Sequence, residues 1–90
     1  MHLAESDRVA AIRAALEAAF SPVSLSIVDE SHKHAGHAGA RDGRGHFKVS
    51  LVSETFAGML PLARHRAVYA ALGSLMQTDI HALSIDARQP

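Results

Sequence analysis

Two short runs in which apolar and polar residues alternate set the limits on what this chain can become. Val23, Leu25 and Ile27 alternate with Ser24 and Ser26, and Phe47, Val49 and Leu51 alternate with Lys48 and Ser50. A period of two places all the apolar side chains of a strand on one face. Both runs therefore predict half-buried strands, each needing a cover on one side only. In a chain of 90 residues that cover has to come from the helical segments on either side of the pair.

Such segments are present. Val9, Ile12, Leu16 and Phe20 recur at helical spacing, with Arg8, Arg13 and Glu17 expected elsewhere on the cylinder. Ser6 is a candidate N-cap, with Asp7 at the positive end of the dipole, and Ser21-Pro22 closes the helix because the residue before proline avoids the α region. The first helix is expected from about Ser6 to Ala19. Between the strands, residues 30–45 lose all periodicity, and Gly36, Gly39, Gly43 and Gly45 mark a flexible loop. His46 opens the second strand, which ends near Ser53. A short helical turn over 53–60, broken at Gly58, precedes a second helix that starts at Pro61 and runs to about Met76. Gln77-Thr78-Asp79 is a tight connection into a third strand, Ile80 to Ala87, with His81, Leu83 and Ile85 on one face. The order is α-β-β-α-β, one α+β domain over residues 1–90, with a three-stranded mixed sheet covered on one face by two helices.

Composition narrows the function. Hydrophobic residues make up 48 % of the chain, enough for a core, and there is no cysteine to supply a disulfide, a thiolate ligand or a nucleophile. Nine Lys and Arg balance nine Asp and Glu, whereas a dedicated nucleic-acid binder usually carries a basic surplus. No segment approaches the roughly 20 apolar residues of a membrane span. The N-terminus, with Glu5 and Asp7 early, has neither signal-peptide nor transit-peptide character, so a cytoplasmic location is expected.

Enzyme signatures are missing: no phosphate loop ending in Lys-Ser or Lys-Thr, no G-x-S-x-G and no H-E-x-x-H. Asp29 and Glu30 are adjacent and would point to opposite faces of a strand end, as solvated carboxylates do. Gly36-His37-Ala38-Gly39 matches the GxxG loop of KH domains, but that loop joins two helices and this one falls between strands. On a helical wheel His65 lies within the face formed by Leu62, Val68, Tyr69, Leu72, Leu75 and Met76. It is expected to be a hydrogen-bonded residue at the core's edge, with Arg64 and Arg66 flanking it and free to meet an acidic partner. Seven histidines are the unusual feature. The tract His32-Lys33-His34-Ala35-Gly36-His37 suits zinc, copper, nickel or iron. It is too glycine-rich to close a tetrahedral site alone and better suited to lend one ligand to a shared metal. His81, at the start of the third strand, lies where the loop between the first two strands could reach it.

An ordered block of motifs runs through the second half of the chain: Phe47-Lys48-Val49-Ser50-Leu51-Val52-Ser53, Phe56-Ala57-Gly58, Leu62-Ala63-Arg64-His65-Arg66, Val68-Tyr69-Ala70-Ala71-Leu72 and Ile80-His81-Ala82-Leu83. This block resembles the BolA family, and the helix–strand prelude matches as well. Leu51 and Ala57 stand where Val and Glu are commoner; neither is a presumed ligand. The resemblance implies a fold related to class II KH domains and a non-enzymatic role as partner to a monothiol (CGFS-type) glutaredoxin, in a complex that bridges a [2Fe-2S] cluster. In such complexes the glutaredoxin cysteine and glutathione supply thiolates. The family's C-terminal histidine maps onto His81, and its loop ligand maps best onto His34, with His32, His37 and His46 as alternatives. Without cysteine both ligands from this chain would be histidines, a Rieske-like arrangement that tends to raise the cluster's potential. The family is also associated with DNA-binding transcriptional regulation, for which Lys48, Arg64 and Arg66 are the candidate contacts, with weak binding expected. A weak homodimer is compatible with the same resemblance.

Overall fold

A computed structural model describes residues 5–31 and 44–90, with side chains from residue 7 onward. Helix α1 spans Glu5–Phe20, followed by strands β1 (Ser24–Asp29) and β2 (Gly45–Val52), a 3₁₀ turn (Glu54–Phe56), helices α2 (Pro61–Leu72) and α3 (Leu75–Thr78), and strand β3 (Ile80–Arg88). The sheet order is β1-β2-β3. β1 and β2 are antiparallel, while β2 and β3 are parallel. A parallel pair needs a long crossover, and residues 53–79 with α2 provide it.

The alternation in the sequence is the alternation of the sheet. Phe47, Val49 and Leu51 are almost wholly buried. In register, Leu25, Leu51 and Ala87 form one inward row, and Ile27, Val49 and Ile85 the next. These rows pack under α1 and α2, which add Ile12, Leu16, Phe20, Val68 and Leu72 to the core. The opposite face carries Ser24, Ser26, Lys48, Ser50, Ser84 and Asp86, and no described helix lies over it.

Four expectations about where elements end and which residues they bury need correction. α1 already includes Glu5, so Ser6 lies within its first turn and does not cap it. Arg8 is not a solvated residue on the far side of α1; it is buried, because it sits one turn before Ile12 on the inward stripe. Val23 stays 71 % exposed and precedes β1, past the end of the helix that covers the strand. The second helix does not run to Met76. It stops at Leu72, where Gly73 adopts φ 54° and ψ −127°, a backbone that side chains oppose, and a separate turn of helix, α3, carries the chain to Thr78.

The C-terminus of α1 is tied to the crossover. Buried Ser53 donates its hydroxyl to the Phe20 carbonyl at 2.6 Å and accepts from the Thr55 amide at 3.2 Å. The Phe20 and Phe56 rings pack above it with centroids 4.9 Å apart.

Candidate functional site

Three chain segments meet at one end of the sheet: residues 29–31, 44–46 and 79–82. Hydrogen bonds lock them. The Ser31 amide donates to Asp29 Oδ1 at 2.9 Å, the Glu30 amide to the His46 carbonyl at 2.7 Å, and the His46 amide to Ser31 Oγ at 3.1 Å. The Gly45 amide donates to the Asp79 carbonyl at 2.8 Å. Gly45 is required by space. A Cβ there would lie 2.7 Å from both a Phe47 ring carbon and Ser31 Oγ, and the Phe47 ring is buried.

Asp79 anchors the third segment. Arg8 Nε donates to its Oδ1 at 3.1 Å, the Thr78 hydroxyl donates to its Oδ2 at 2.7 Å, and both Arg8 and Asp79 are buried. Such a pair is stable only with its charges matched, so it pins the entrance of β3 to α1.

A β-bulge follows at once. Gly45 pairs with Ile80, but His46 pairs with Ala82, so one residue of β3 is extra. Bulges re-aim side chains. Here Ile80 is buried and Leu83 packs against the core, while His81 between them is exposed. His81 therefore does not share the inward face of Leu83 and Ile85, as plain alternation predicts. Its ring stands beside that of His46, with centroids 5.3 Å apart and planes inclined by 52°. Arg44 Nη2 lies 3.1 Å from His81 Nδ1. A shallow depression of about 200 Å³, lined in part by Glu30, His46, Ala82 and Ser84, opens alongside.

Two imidazoles on one ion, each nitrogen about 2.1 Å from it, bring their ring centres to roughly 5 Å apart. The His46–His81 spacing suits such an arrangement, and Rieske centres use two histidines on one iron. Among the described residues no third His, Asp or Glu joins them, and the chain has no cysteine. The donor set fits a metal or cluster that draws its remaining ligands from elsewhere. His32, His34 and His37 lie outside the described residues, as does the Gly36–Gly39 motif. Among the described residues, His46, an alternative ligand in the sequence, is the one the fold brings against His81.

The cationic candidates do not converge. Lys48 is exposed on the open face, opposite in parity to the core residues Phe47, Val49 and Leu51. Arg64 and Arg66 belong to α2, which packs on the covered face. Arg64 is also not free: its Nε donates to the Met59 carbonyl at 2.8 Å and its Nη1 to the Ala87 carbonyl at 3.0 Å. It ties the start of α2 to the end of β3. Arg66 is exposed. His65 is half-buried as expected, but among the described residues its side chain makes no hydrogen bond.

Arg8, Ser31, Arg44, Gly45 and Asp79 build this end of the sheet without having stood out as site residues. Arg8 was findable from its position one turn before Ile12. The others become neighbours only through the bulge and the parallel pairing, neither of which has a local sequence signal.

The fold and its histidine pair define a small α+β domain with exposed His81 beside buried His46 at one end of a mixed sheet. The BolA-like protein family model matches residues 16–90, and the chain belongs to the BolA family. It is 48 % identical to BolA-like protein 1 of Mus musculus over 81 residues, which is 90 % of this chain and 57 % of that protein. It is 47 % identical to the DNA-binding transcriptional regulator BolA of Escherichia coli over 70 residues, 78 % of this chain and 64 % of that one. The solved BolA domain of SufE1 from Arabidopsis thaliana superposes with a TM-score of 0.82 at 37 % identity, covering 98 % of this chain and 96 % of the domain. The chain spans only a little over half the length of mouse BolA-like protein 1 and of the chloroplastic BOLA1 of Arabidopsis thaliana. No described helix is long and apolar enough to cross a membrane.

Proposed function

We propose that this chain is a non-enzymatic adaptor that pairs with a monothiol (CGFS-type) glutaredoxin and lends histidine ligands to a shared [2Fe-2S] cluster, in iron–sulfur trafficking or iron and redox sensing. The observation that carries this reading is the exposed imidazole of His81 standing 5.3 Å from that of His46, in a chain without thiolates. The pair is an incomplete donor set, and a partner bringing cysteine and glutathione sulfur is its chemical complement. A cluster held there would supply electron-transfer or cluster-transfer chemistry. The chain's own part is narrower: the Arg8–Asp79 anchor and the bulge hold His81 outward, and His34, His32 or His37 of the loop, or His46, offers the second imidazole.

The test is to mix the protein with a monothiol glutaredoxin, iron, sulfide and glutathione, and to record the visible absorption and circular dichroism. Signals distinct from those of glutaredoxin alone support the mixed complex. Spectra that are only the glutaredoxin's own contradict it.

A second reading, a DNA-binding transcriptional regulator, draws on the 47 % identity to the E. coli regulator. The balanced net charge and the separation of Lys48 from Arg64 and Arg66 across the sheet weigh against it.

A further inference from the structure

We infer that Arg44 is a latch on His81: its contact with Nδ1 and the binding of a metal by His81 are mutually exclusive. This rests on the assignment of His81 as a metal-binding residue.

The chemistry follows from one distance. Arg44 Nη2 lies 3.1 Å from His81 Nδ1, and a guanidinium has donors only. Nδ1 must therefore be the acceptor, its lone pair directed at Arg44. A neutral imidazole carries a single N–H, so with Nδ1 accepting, the proton sits on Nε2. Both nitrogens are then closed to a cation, Nδ1 by the guanidinium and Nε2 by its own proton. A metal can take Nδ1 only after Arg44 leaves. It can take Nε2 only if the proton moves to Nδ1, and there the new N–H would face the N–H of Arg44. Either route breaks the contact; the imidazole keeps one proton throughout and gives one lone pair to the metal. The guanidinium's fixed positive charge beside the ring also opposes a second cation.

The geometry makes Arg44 suited to this task. Gly45, next in sequence, is held by the hydrogen bond its amide donates to the Asp79 carbonyl and packs closely against Phe47 and Ser31, and His81 follows Asp79 by two residues. Arg44 thus starts from a rigid point a side chain's length from its target, and the contact itself is exposed, so it can open without disturbing the core.

The experiment uses the 90-residue chain without glutaredoxin. Long-range proton–nitrogen correlation NMR of the metal-free protein, at mildly alkaline pH where imidazole is neutral, reads the tautomer of His81 directly. The latch predicts an unprotonated Nδ1 and a protonated Nε2 in the wild type, with the Nδ1 resonance shifting in Arg44→Ala as the donor is lost. Zinc ion is then titrated into both proteins, following the His81 ring signals. Arg44→Ala is expected to engage zinc at His81 about fivefold more tightly, the scale of one exposed charge-assisted hydrogen bond. Adding His81→Ala to Arg44→Ala should abolish that gain, which separates His81 from the other histidines. A protonated Nδ1 in the wild type, or unchanged or weaker zinc binding at His81 in Arg44→Ala, would overturn the latch. Because glutaredoxin is absent, these results stand apart from the proposed function. A mixed complex that fails to form while the latch signals are seen removes the partner assignment alone.

Discussion

At Gly45 and Ser53 the fold depends on single atoms. A methyl group at position 45 would sit 2.7 Å from the Phe47 ring and from Ser31 Oγ. Since Ser31 Oγ accepts the His46 amide, yielding on that side also breaks a hydrogen bond. Gly45→Ala is expected to cost about 1–3 kcal/mol by overpacking, read as a lower urea midpoint, and to move the His46 ring signals. Ser53→Ala removes two hydrogen bonds at a buried position and leaves the Phe20 carbonyl without that donor, at a cost of about 1–2 kcal/mol. A midpoint equal to wild type in either variant would show that the neighbouring backbone relaxes freely. His65→Ala belongs to the milder class. With packing but no hydrogen bond to lose among the described residues, it should cost about 1 kcal/mol and leave metal binding at His81 intact in a zinc titration.

The elements themselves were largely legible, because hydrophobic period is local. The Phe47, Val49, Leu51 alternation gave β2 and its buried face, and Pro61 gave the start of α2. The failures arose where a non-local event decided. Nothing near His81 announces the bulge that turns it outward, since the extra residue exists only relative to β2. Arg8 is charged yet lies on the inward stripe, because the carboxylate that matches it, Asp79, lies 71 residues away in sequence. A glycine inside a helical pattern does not by itself mark an end, yet Gly73 with its φ of 54° ends α2. Gly73→Ala should therefore destabilise by about 1–3 kcal/mol through backbone strain in thermal unfolding, and it should not extend the helix. The Arg8–Asp79 pair permits a sharper test. Arg8→Met leaves a buried carboxylate without its cation, expected to cost about 3–5 kcal/mol, whereas Arg8→Met with Asp79→Leu should recover much of that loss. Denaturation of the single and double variants measures the difference. If the single variant is as stable as wild type, the pair is not the anchor of β3.

For the whole molecule, the layout separates what it can bind from what it cannot gather. Family membership and a three-stranded mixed sheet under two helices were legible in the ordered motifs and the hydrophobic periods, whereas the strand order and the parallel pairing of β2 with β3 were not. The charge map was not accessible, because placing Lys48 and Arg66 on opposite sides requires the packed sheet. With Arg64 committed to two carbonyls, few cations can meet one phosphate chain. DNA binding should be weak, with a slope of log K against log salt no steeper than about −2; nanomolar, sequence-selective binding at physiological salt would favour the regulator instead. The adaptor account rests most heavily on His81. Its direct test is the visible spectrum and cluster lifetime of His81→Ala mixed with a monothiol glutaredoxin, iron, sulfide and glutathione, beside wild type and His34→Ala. The account predicts that His81→Ala loses most of the mixed-complex signal, while His34→Ala loses less because His32, His37 or His46 substitutes. A His81→Ala protein that keeps the wild-type spectrum and lifetime would contradict it.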